Sequence, residues 1–268
     1  MRATPNSAPD LFRLEGQTAF VSGAAGHLGR TMAFALADAG AHVIVNGRNR
    51  AKLDELVGEI EARKGSAEPA AFDVGDLAAA RAFFAARPRL DVLVNNAVSM
   101  TPKPFAQLSE SDFAETYRTG VVAPFEFVRA ALPALRAASR ARGDASVVNI
   151  ASMYATVAPD ARIYSRPEQA SPFHYGPAKA ALLQLTRHLA AELGAEHIRV
   201  NALVPGPFPR EIVTRSDPDF AARLAQRTML GRTGDADEIR GPLLFLASPA
   251  SSFVTGAALA VDGGWTVW

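Results

Sequence analysis

The chain has 268 residues, of which 49% are hydrophobic, and its 28 basic and 27 acidic side chains give a net charge of +1. This composition excludes a disordered chain and supplies enough apolar surface for a large core, while the balanced charge argues against binding to nucleic acid. The chain contains no cysteine, which excludes disulfides, thiolate nucleophiles and cysteine-bound metals and is typical of a reducing compartment.

Short apolar segments alternate with helical patterns along almost the whole chain. Strands are predicted at residues 18–22, 42–45, 67–72, 91–94, 146–150, 198–203 and 257–261. Helices are predicted up to residue 39 and at residues 50–64, 76–86, 110–138, 174–193 and 237–247. Strands that are apolar throughout and alternate with helices are typical of a parallel sheet covered on both faces. We therefore predict an α/β fold, a doubly wound parallel sheet (Rossmann fold) of about seven strands.

No linker or repeat interrupts this pattern, so residues 1–268 are expected to form a single domain. Residues 1–15 are a polar N-terminal extension without the apolar run of a signal peptide. Residues 241–261 carry no charge, but Pro242, Pro249 and Gly256 interrupt them, so we expect no membrane-spanning helix. These features predict a cytoplasmic protein without a membrane or nucleic-acid partner.

A glycine-rich loop follows the first predicted strand and precedes a predicted helix. Small residues in such a loop let the backbone approach a diphosphate, and the helix N-terminus adds oriented N–H groups and a positive dipole. We predict a dinucleotide site here. Its candidate residues are Ser22, Gly23, Gly26, His27, Leu28 and Gly29.

The end of the second predicted strand indicates which dinucleotide is preferred. An NAD site typically has an acidic residue there for the ribose 2′-hydroxyl, but this chain has Asn46-Gly47-Arg48-Asn49. The guanidinium fork of Arg48 is suited to a 2′-phosphate. We therefore predict NADP(H) as the cofactor more readily than NAD(H), with a solvated Arg48 that contacts no ligand as the alternative.

Several further motifs occur in a fixed order, each directly after a predicted strand or within a predicted helix. They are Asp73-Val74, Asn95-Asn96-Ala97, Ile150-Ala151-Ser152, Tyr175-Gly176-Pro177-Ala178-Lys179, Val200-Asn201-Ala202-Leu203-Val204-Pro205-Gly206, Leu230-Gly231-Arg232 and Val261-Asp262-Gly263-Gly264. Together with the glycine-rich loop, they resemble the single-domain short-chain dehydrogenase/reductase superfamily over essentially the whole chain. The long segment after Ser152 and the tryptophan-containing C-terminus resemble its gluconate 5-dehydrogenase-like branch, and 3-oxoacyl reductases belong to the same group.

The resemblance implies roles for these residues. It implies that Ser152 orients the substrate oxygen, that Tyr175 exchanges the hydroxyl proton and that Lys179 holds the nicotinamide ribose. It also implies contacts to the cofactor from Asp73, Val74, Asn95, Ala97, Tyr175, Lys179, Pro205 and Gly206. Pro209 replaces the threonine that many relatives carry, so backbone contacts near Phe208 are expected in its place.

The spacing of Tyr175 and Lys179 has its own chemical meaning. A tyrosine near its free pKa of about 10 is a poor base at neutral pH. Residues four apart share one face of a helix, so we expect the Lys179 charge to favour tyrosinate and to lower the pKa of Tyr175. His174 is adjacent and points elsewhere, so we expect it to line the pocket at most. No cluster of ligands has metal-binding spacing, so no metal is expected.

The sequence departs from the family pattern at three further places. Val98 replaces the last glycine of the motif at residues 95–98, and Gly120 stands where relatives carry a proton-relay asparagine. Between Ser152 and Tyr175 the chain is longer than usual, and residues 153–173 are expected to form an active-site insertion. Arg162 or Arg166 in this insertion is a candidate for binding a carboxylate or phosphate of the substrate, with a solvated loop as the alternative.

The most favoured function is an oxidoreductase that interconverts a secondary alcohol and a ketone with NADP(H), on a sugar acid or another polar carbonyl compound. One alternative, motivated by Gly120, is a nucleotide-binding regulatory or scaffold protein with weakened catalysis. Another is a lyase or epimerase that uses the nicotinamide transiently. The resemblance also implies a homotetramer or homodimer, and the apolar ending at residues 264–268 is unusual for a monomer.

Overall fold

A computed structural model describes residues 7–166 and 170–268 of the chain. These residues form a seven-stranded parallel sheet in the order β3-β2-β1-β4-β5-β6-β7. The strands are β1 (Thr18–Val21), β2 (His42–Gly47), β3 (Ser66–Ala71), β4 (Val92–Asn95), β5 (Ala145–Ile150), β6 (Ile198–Pro205) and β7 (Ala258–Val261). The doubly wound fold predicted from the sequence is confirmed.

Helices cover both faces of this sheet. They are α1 (His27–Asp38), α2 (Arg50–Ala62), α3 (Leu77–Ala85), α4 (Glu110–Tyr117), α5 (Ala123–Arg142), α6 (Tyr175–Leu193), α7 (Glu211–Ser216), α8 (Pro218–Gln226) and α9 (Arg240–Ala247). Within the described residues, no helix has both the length and the apolar character needed to cross a bilayer.

Alternate residues of each strand enter separate cores on the two faces of the sheet. Ala19 and Val21 pack in one core with α1, α2 and α9. Phe20 lies between them and packs in the other core, with α3, α5 and α6. There it meets the rings of Phe84 and Phe127 at centroid distances of 5.0 and 5.9 Å. This alternation holds the strands in register, since a shift by one residue would exchange the two faces.

The predicted helix at residues 110–138 is not continuous. A π-helical turn at Arg118–Val122 separates α4 from α5. Thr119 lies in this turn, where its hydroxyl accepts a hydrogen bond from the Ser99 backbone at 2.9 Å and donates to the Glu115 carbonyl at 3.0 Å. The prediction of one regular helix was therefore wrong at this turn, which contains Gly120.

The strand order reverses at β1: the chain continues from β1 through β2 to β3 on one side, and β4 lies on the other side of β1. In open parallel sheets, ligands bind at such a switch point beyond the carboxyl ends of the strands. The residues that follow β1, β2, β3 and β4 therefore meet on one edge, and the segments after β5 and β6 lie along the same edge.

Candidate active site

The loop between β1 and α1 is packed so tightly that it depends on glycine. Gly23 has a φ of +63°, and a Cβ placed on it would lie 3.1 Å from Cβ of Ala97. A Cβ on Gly29 would lie only 2.2 Å from the Gly23 carbonyl oxygen. Gly26 is exposed at the start of α1, where no side chain caps the helix. The first N–H groups of α1 are therefore left for a ligand.

Ser22 and Asn96 hold this loop against the end of β4. The Ser22 hydroxyl accepts hydrogen bonds from the backbone N–H groups of Asn96 and Ala97, at 2.9 and 3.0 Å. The Asn96 amide donates in turn to the backbone oxygens of Ser22 and Gly23, at 2.9 and 3.2 Å. Ser22 thus supports the loop from behind. Asn96 was present in the sequence motif but was not among the predicted site residues.

A cleft of about 450 Å³ opens at this edge of the sheet. It brings together six of the residues predicted for the cofactor: Gly23, Gly26, Arg48, Asp73, Val74 and Ala97. Nη1 of Arg48 lies 3.8 Å from a carboxylate oxygen of Asp73. Most of the Arg48 side chain is exposed, so it is free to turn toward a ligand phosphate.

Other predicted cofactor residues do not line this cleft. Asn95 points into the sheet, where its amide donates to Asn149 at 2.8 Å, and Asn149 donates to Thr186 at 2.9 Å. Leu28 packs against the hydrophobic core. These two side chains therefore lie beneath the cleft and stabilise the elements that form it. The buried amides of Asn95 and Asn149 satisfy each other, a long-range pairing that strand patterns cannot reveal.

The segment after β6 lies beside the C-terminal loop. A Cβ placed on Gly206 would lie 2.5 Å from Cα of Asp262, so Gly206 allows a close approach of two backbones. Pro205 is buried at the end of β6. Phe208 lines a separate cavity of about 520 Å³ together with Val261. The predicted contacts of these three residues with the cofactor remain predictions.

His27 is the first residue of α1. Its Nε2 atom is buried and has no hydrogen-bond partner among the described residues. Burial lowers the pKa of His27, and the nearby charge of Arg210 lowers it further. Arg210 follows β6 and lines the cleft at the glycine-rich loop. Sequence analysis did not select Arg210, because only the fold brings residues 26 and 210 together.

Ser152, Tyr175 and Lys179 come together at the end of β5 and the start of α6. Ser152 is buried, and its hydroxyl accepts a hydrogen bond from the Tyr154 backbone at 3.2 Å. The Ser152 side chain also lies close enough to the phenol of Tyr175 to lower its pKa. Because α6 begins at Tyr175, Pro177 lies in its first turn, where no backbone donor is needed.

The electrostatics of Tyr175 differ from the sequence expectation. Burial raises the pKa of Tyr175, and the Ser152 side chain opposes this rise only in part. Lys179 is buried too, and its Nζ atom donates to the Ile150 carbonyl at 2.6 Å. Burial lowers the pKa of Lys179 to about 8. The expected lowering of the Tyr175 pKa was therefore wrong, since desolvation of the buried phenol is the largest influence on it.

Val98 and Gly120, two of the residues that depart from the family pattern, are in direct contact. A Cβ placed on Gly120 would lie 3.2 Å from Cγ2 of Val98 and 4.0 Å from Cβ of Ala178. Val98 therefore fills the space that a side chain at residue 120 would occupy. The sequence showed both departures, but only the structure shows that they compensate each other in volume.

His174 lies beneath the site. It is fully buried, and its Nδ1 atom is 3.0 Å from the Thr116 hydroxyl, which donates to the Ser99 carbonyl at 2.9 Å. Its ring packs edge-on against Phe113. His174 thus connects α4 to the start of α6 and does not line any of the described cavities. The sequence allowed it to line the pocket at most, but in the structure it has a packing role.

The insertion at residues 153–173 walls a cavity, but its lining is mainly apolar. This cavity of about 800 Å³ lies between the insertion and the outer side of α6, near Gly176 and Pro177. Arg162 points away from it and forms a bidentate pair with Asp160 at 2.8 and 2.7 Å. Arg166 is exposed, and residues 167–169 lie outside the described part of the chain. The contact of either arginine with substrate remains a prediction.

These features fit a dinucleotide at the edge of the sheet. The uncapped start of α1, the orphaned Nε2 of His27 and the charge of Arg210 together favour an anion beside the glycine-rich loop. Arg48 and Asp73 form the far end of the same cleft.

Comparisons with known proteins agree with this geometry. A family model described as Enoyl-(Acyl carrier protein) reductase matches residues 23–266. A gluconate 5-dehydrogenase from Gluconobacter oxydans is 39% identical over 267 residues, which cover 97% of this chain and 99% of that protein. The chain belongs to the short-chain dehydrogenase/reductase family.

Two further members of this family are similar over nearly their whole length. A galactitol 2-dehydrogenase (L-tagatose-forming) from Cereibacter sphaeroides is 38% identical, over 96% of this chain and 98% of that protein. The crystal structure of a gluconate 5-dehydrogenase from Burkholderia cenocepacia, in complex with NADP and tartrate, has a TM-score of 0.84 and 33% identity, and the match covers 98% and 100% of the two chains. As a member of this family, the protein is an oxidoreductase that acts on CH–OH groups, and these relatives do not favour the regulatory alternative.

Proposed function

We propose that this dehydrogenase/reductase interconverts a secondary alcohol and a ketone, with NADP(H) preferred over NAD(H). The observation that carries the proposal is the meeting of Ser152, Tyr175 and Lys179 at the end of the sheet that also holds the cleft. A nicotinamide cofactor, when bound, supplies or accepts the hydride.

The protein's own residues manage the proton and the substrate oxygen. Tyr175 keeps its proton at neutral pH because burial raises its pKa, so it is ready to protonate the oxygen of a ketone. Ser152 lies beside this phenol and is placed to orient the same oxygen. The buried Lys179 ammonium supplies positive charge beside the tyrosinate that forms. In the opposite direction, tyrosinate accepts the proton of the alcohol.

Arg48 supports the preference for NADP(H). It follows β2, lines the cleft and has only a loose contact with Asp73. A guanidinium at this place binds a 2′-phosphate through charge-assisted hydrogen bonds. The NADP found in the Burkholderia cenocepacia relative is consistent with this assignment.

The substrate class is the finer part of the proposal. Relatives named for gluconate and galactitol support a sugar acid or polyol. We also propose a cytoplasmic location. We further propose a homotetramer or homodimer, since Val122 and Phe125 are exposed apolar side chains near the start of α5. Sedimentation as a monomer at every concentration would contradict the proposed assembly.

Calorimetric titration with NADPH and NADH tests the cofactor assignment. We expect wild-type protein to bind NADPH more tightly, and Arg48→Ala to weaken NADPH binding about tenfold while leaving NADH binding unchanged. Arg50→Ala is the matched control, because Arg50 pairs with Asp54 on the surface of α2. Equal loss for both cofactors, or tighter binding of NADH by wild-type protein, would contradict the role of Arg48.

An absorbance assay at 340 nm tests the reaction. We expect reduction of NADP with gluconate or galactitol, or oxidation of NADPH with L-tagatose. Binding of cofactor without turnover on any member of a broad carbonyl and polyol panel would contradict the proposed activity.

A further inference from the structure

Arg210 brings a positive charge into the cleft from an element that is far from the glycine-rich loop in sequence. It lies just before α7, after the segment that leaves β6. Its side chain is exposed, and it lines the same cleft as Gly23, Ala25 and Gly26. The cleft therefore has uncapped backbone N–H groups on one element and a guanidinium on another.

This guanidinium forms no ion pair among the described residues, although the carboxylates of Asp73 and Glu115 also line the cleft. Arg118 in this region donates to Glu115 at 2.8 Å. Arg48 has only its loose contact with Asp73. The nearest acidic neighbour of Arg210 along the chain, Glu211, pairs with Arg215 at 3.5 Å. An arginine that faces a cleft without a carboxylate partner is suited to an anionic ligand.

The surroundings of Arg210 indicate which anion it meets. Its charge reaches His27, the first residue of α1, and contributes to the lowered pKa of that side chain. Nε2 of His27 is buried and has no hydrogen-bond partner among the described residues. The charge of Arg210 therefore lies beside the glycine-rich loop, whereas Arg48 and Asp73 line the cleft from the segments that follow β2 and β3.

We propose that Arg210 binds the diphosphate of the dinucleotide, together with the glycine-rich loop, and so ties the start of α7 to the bound cofactor. The inference rests on the proposed function, because it assumes that the cleft takes a dinucleotide. Arg210 is thus assigned to the diphosphate, which NADP(H) and NAD(H) share. Arg48 is assigned to the 2′-phosphate, which NADP(H) has and NAD(H) lacks.

A different ligand for Arg210 is a carboxylate of the substrate. The lining of the cleft argues against it, because Arg210 shares the cleft with Gly23 and Gly26 while Ser152 and Tyr175 are not among its lining residues. The guanidinium is thus placed for the cofactor and not for the reacting oxygen.

Calorimetric titration of the full-length protein and its Arg210→Gln variant tests the proposal. The probes are NADPH, NADH and adenosine 2′-monophosphate, which lacks a diphosphate. Arg210→Gln should weaken NADPH and NADH by the same factor, about tenfold or more, and leave adenosine 2′-monophosphate within about twofold. Arg210→Lys should restore part of the loss. Arg215→Gln, on the same helix but outside the cleft lining, should bind all three probes like the wild type.

Each outcome decides the proposal. Unchanged affinity of Arg210→Gln for both dinucleotides overturns the proposal. This holds also if the KM of an acidic substrate rises in that variant, because Arg210 would then bind the substrate. Loss of NADPH affinity alone also overturns it, because the contact would then be to the 2′-phosphate. If wild-type protein binds neither dinucleotide, the proposed function fails as well. Because the Arg210 side chain is exposed and forms no ion pair within the part of the chain that the structure describes, thermal unfolding midpoints should be the same for all variants.

Discussion

Lys179 is a buried cation that donates to a backbone carbonyl, and this environment determines how its charge depends on pH. Its Nζ atom donates to the Ile150 carbonyl at 2.6 Å, and burial lowers its pKa to about 8. The group is charged below this pH and neutral above it. Tyr175 behaves differently, because burial raises its pKa and keeps it protonated over the same range. At neutral pH the site thus holds a proton donor beside a positive charge.

This arrangement predicts the pH dependence of ketone reduction. The rate should be constant below about pH 8 and fall above it, by about tenfold for each further pH unit, because neutral Lys179 no longer stabilises the tyrosinate that forms. Measurement of kcat from pH 6 to pH 10 at saturating NADPH checks this. A rate that stays constant up to pH 10 would show that the charge of Lys179 is not required.

The sequence predicts which side chains react but not the environment of each one. The motif order was sufficient to select Ser152, Tyr175 and Lys179, since motifs report which residue types occur. It gave the wrong direction for the Tyr175 pKa, because the degree of burial depends on elements far along the chain. Asn96 and Arg210 were missed for the same reason.

The π turn between α4 and α5 includes one of the residues at which the sequence departs from the family pattern. It contains Gly120, whose missing side chain leaves room for Val98. A periodic pattern of apolar residues does not reveal such a turn, because one extra residue changes the phase by less than the width of the apolar face. The sequence therefore predicted one helix where the chain forms two.

Contact between Val98 and Gly120 predicts that substitutions at the two positions are coupled. Gly120→Asn alone should lower the free energy of unfolding by about 1–3 kcal/mol, because the new side chain meets Cγ2 of Val98. Val98→Ala removes that atom, so the double variant should be more stable than the sum of the two single effects predicts. Chemical denaturation of the four proteins measures this coupling.

Gly58 provides the control for the helix effect of asparagine. No heavy atom lies within 4 Å of a Cβ placed on Gly58, which is in the middle of α2. Gly58→Asn should therefore be tolerated, since nothing meets the new side chain. Additive effects of the substitutions at residues 98 and 120 would show that the two positions do not share one space.

The insertion between Ser152 and Tyr175 shows a similar limit of sequence reasoning. The sequence made Arg162 or Arg166 a candidate for contact with the substrate, but Arg162 is held by Asp160, two residues earlier, and apolar side chains face the cavity. Such a short-range ion pair depends on the backbone turn at Asp160, which composition does not show. The insertion at residues 153–173 was predictable from the sequence, whereas the side chains that face the cavity were not.

At the scale of the whole molecule, the fold was the most predictable feature. Seven apolar strands alternating with helices determine a parallel sheet with two cores, and the strand order then places the site. The pattern along the chain contains this information because each strand and helix is a local feature. The positions of Arg210 and His27 relative to each other depend on the whole sheet and were not predictable.

In the proposed reaction, Tyr175 exchanges the proton while the cofactor is held independently in the cleft. The most direct test compares the turnover of wild-type protein and Tyr175→Phe in the 340 nm assay, with NADPH binding measured on the same samples. Tyr175→Phe should lower kcat by about 10²- to 10⁴-fold and leave the Kd for NADPH within about twofold. Turnover by Tyr175→Phe at the wild-type rate would contradict this role of Tyr175.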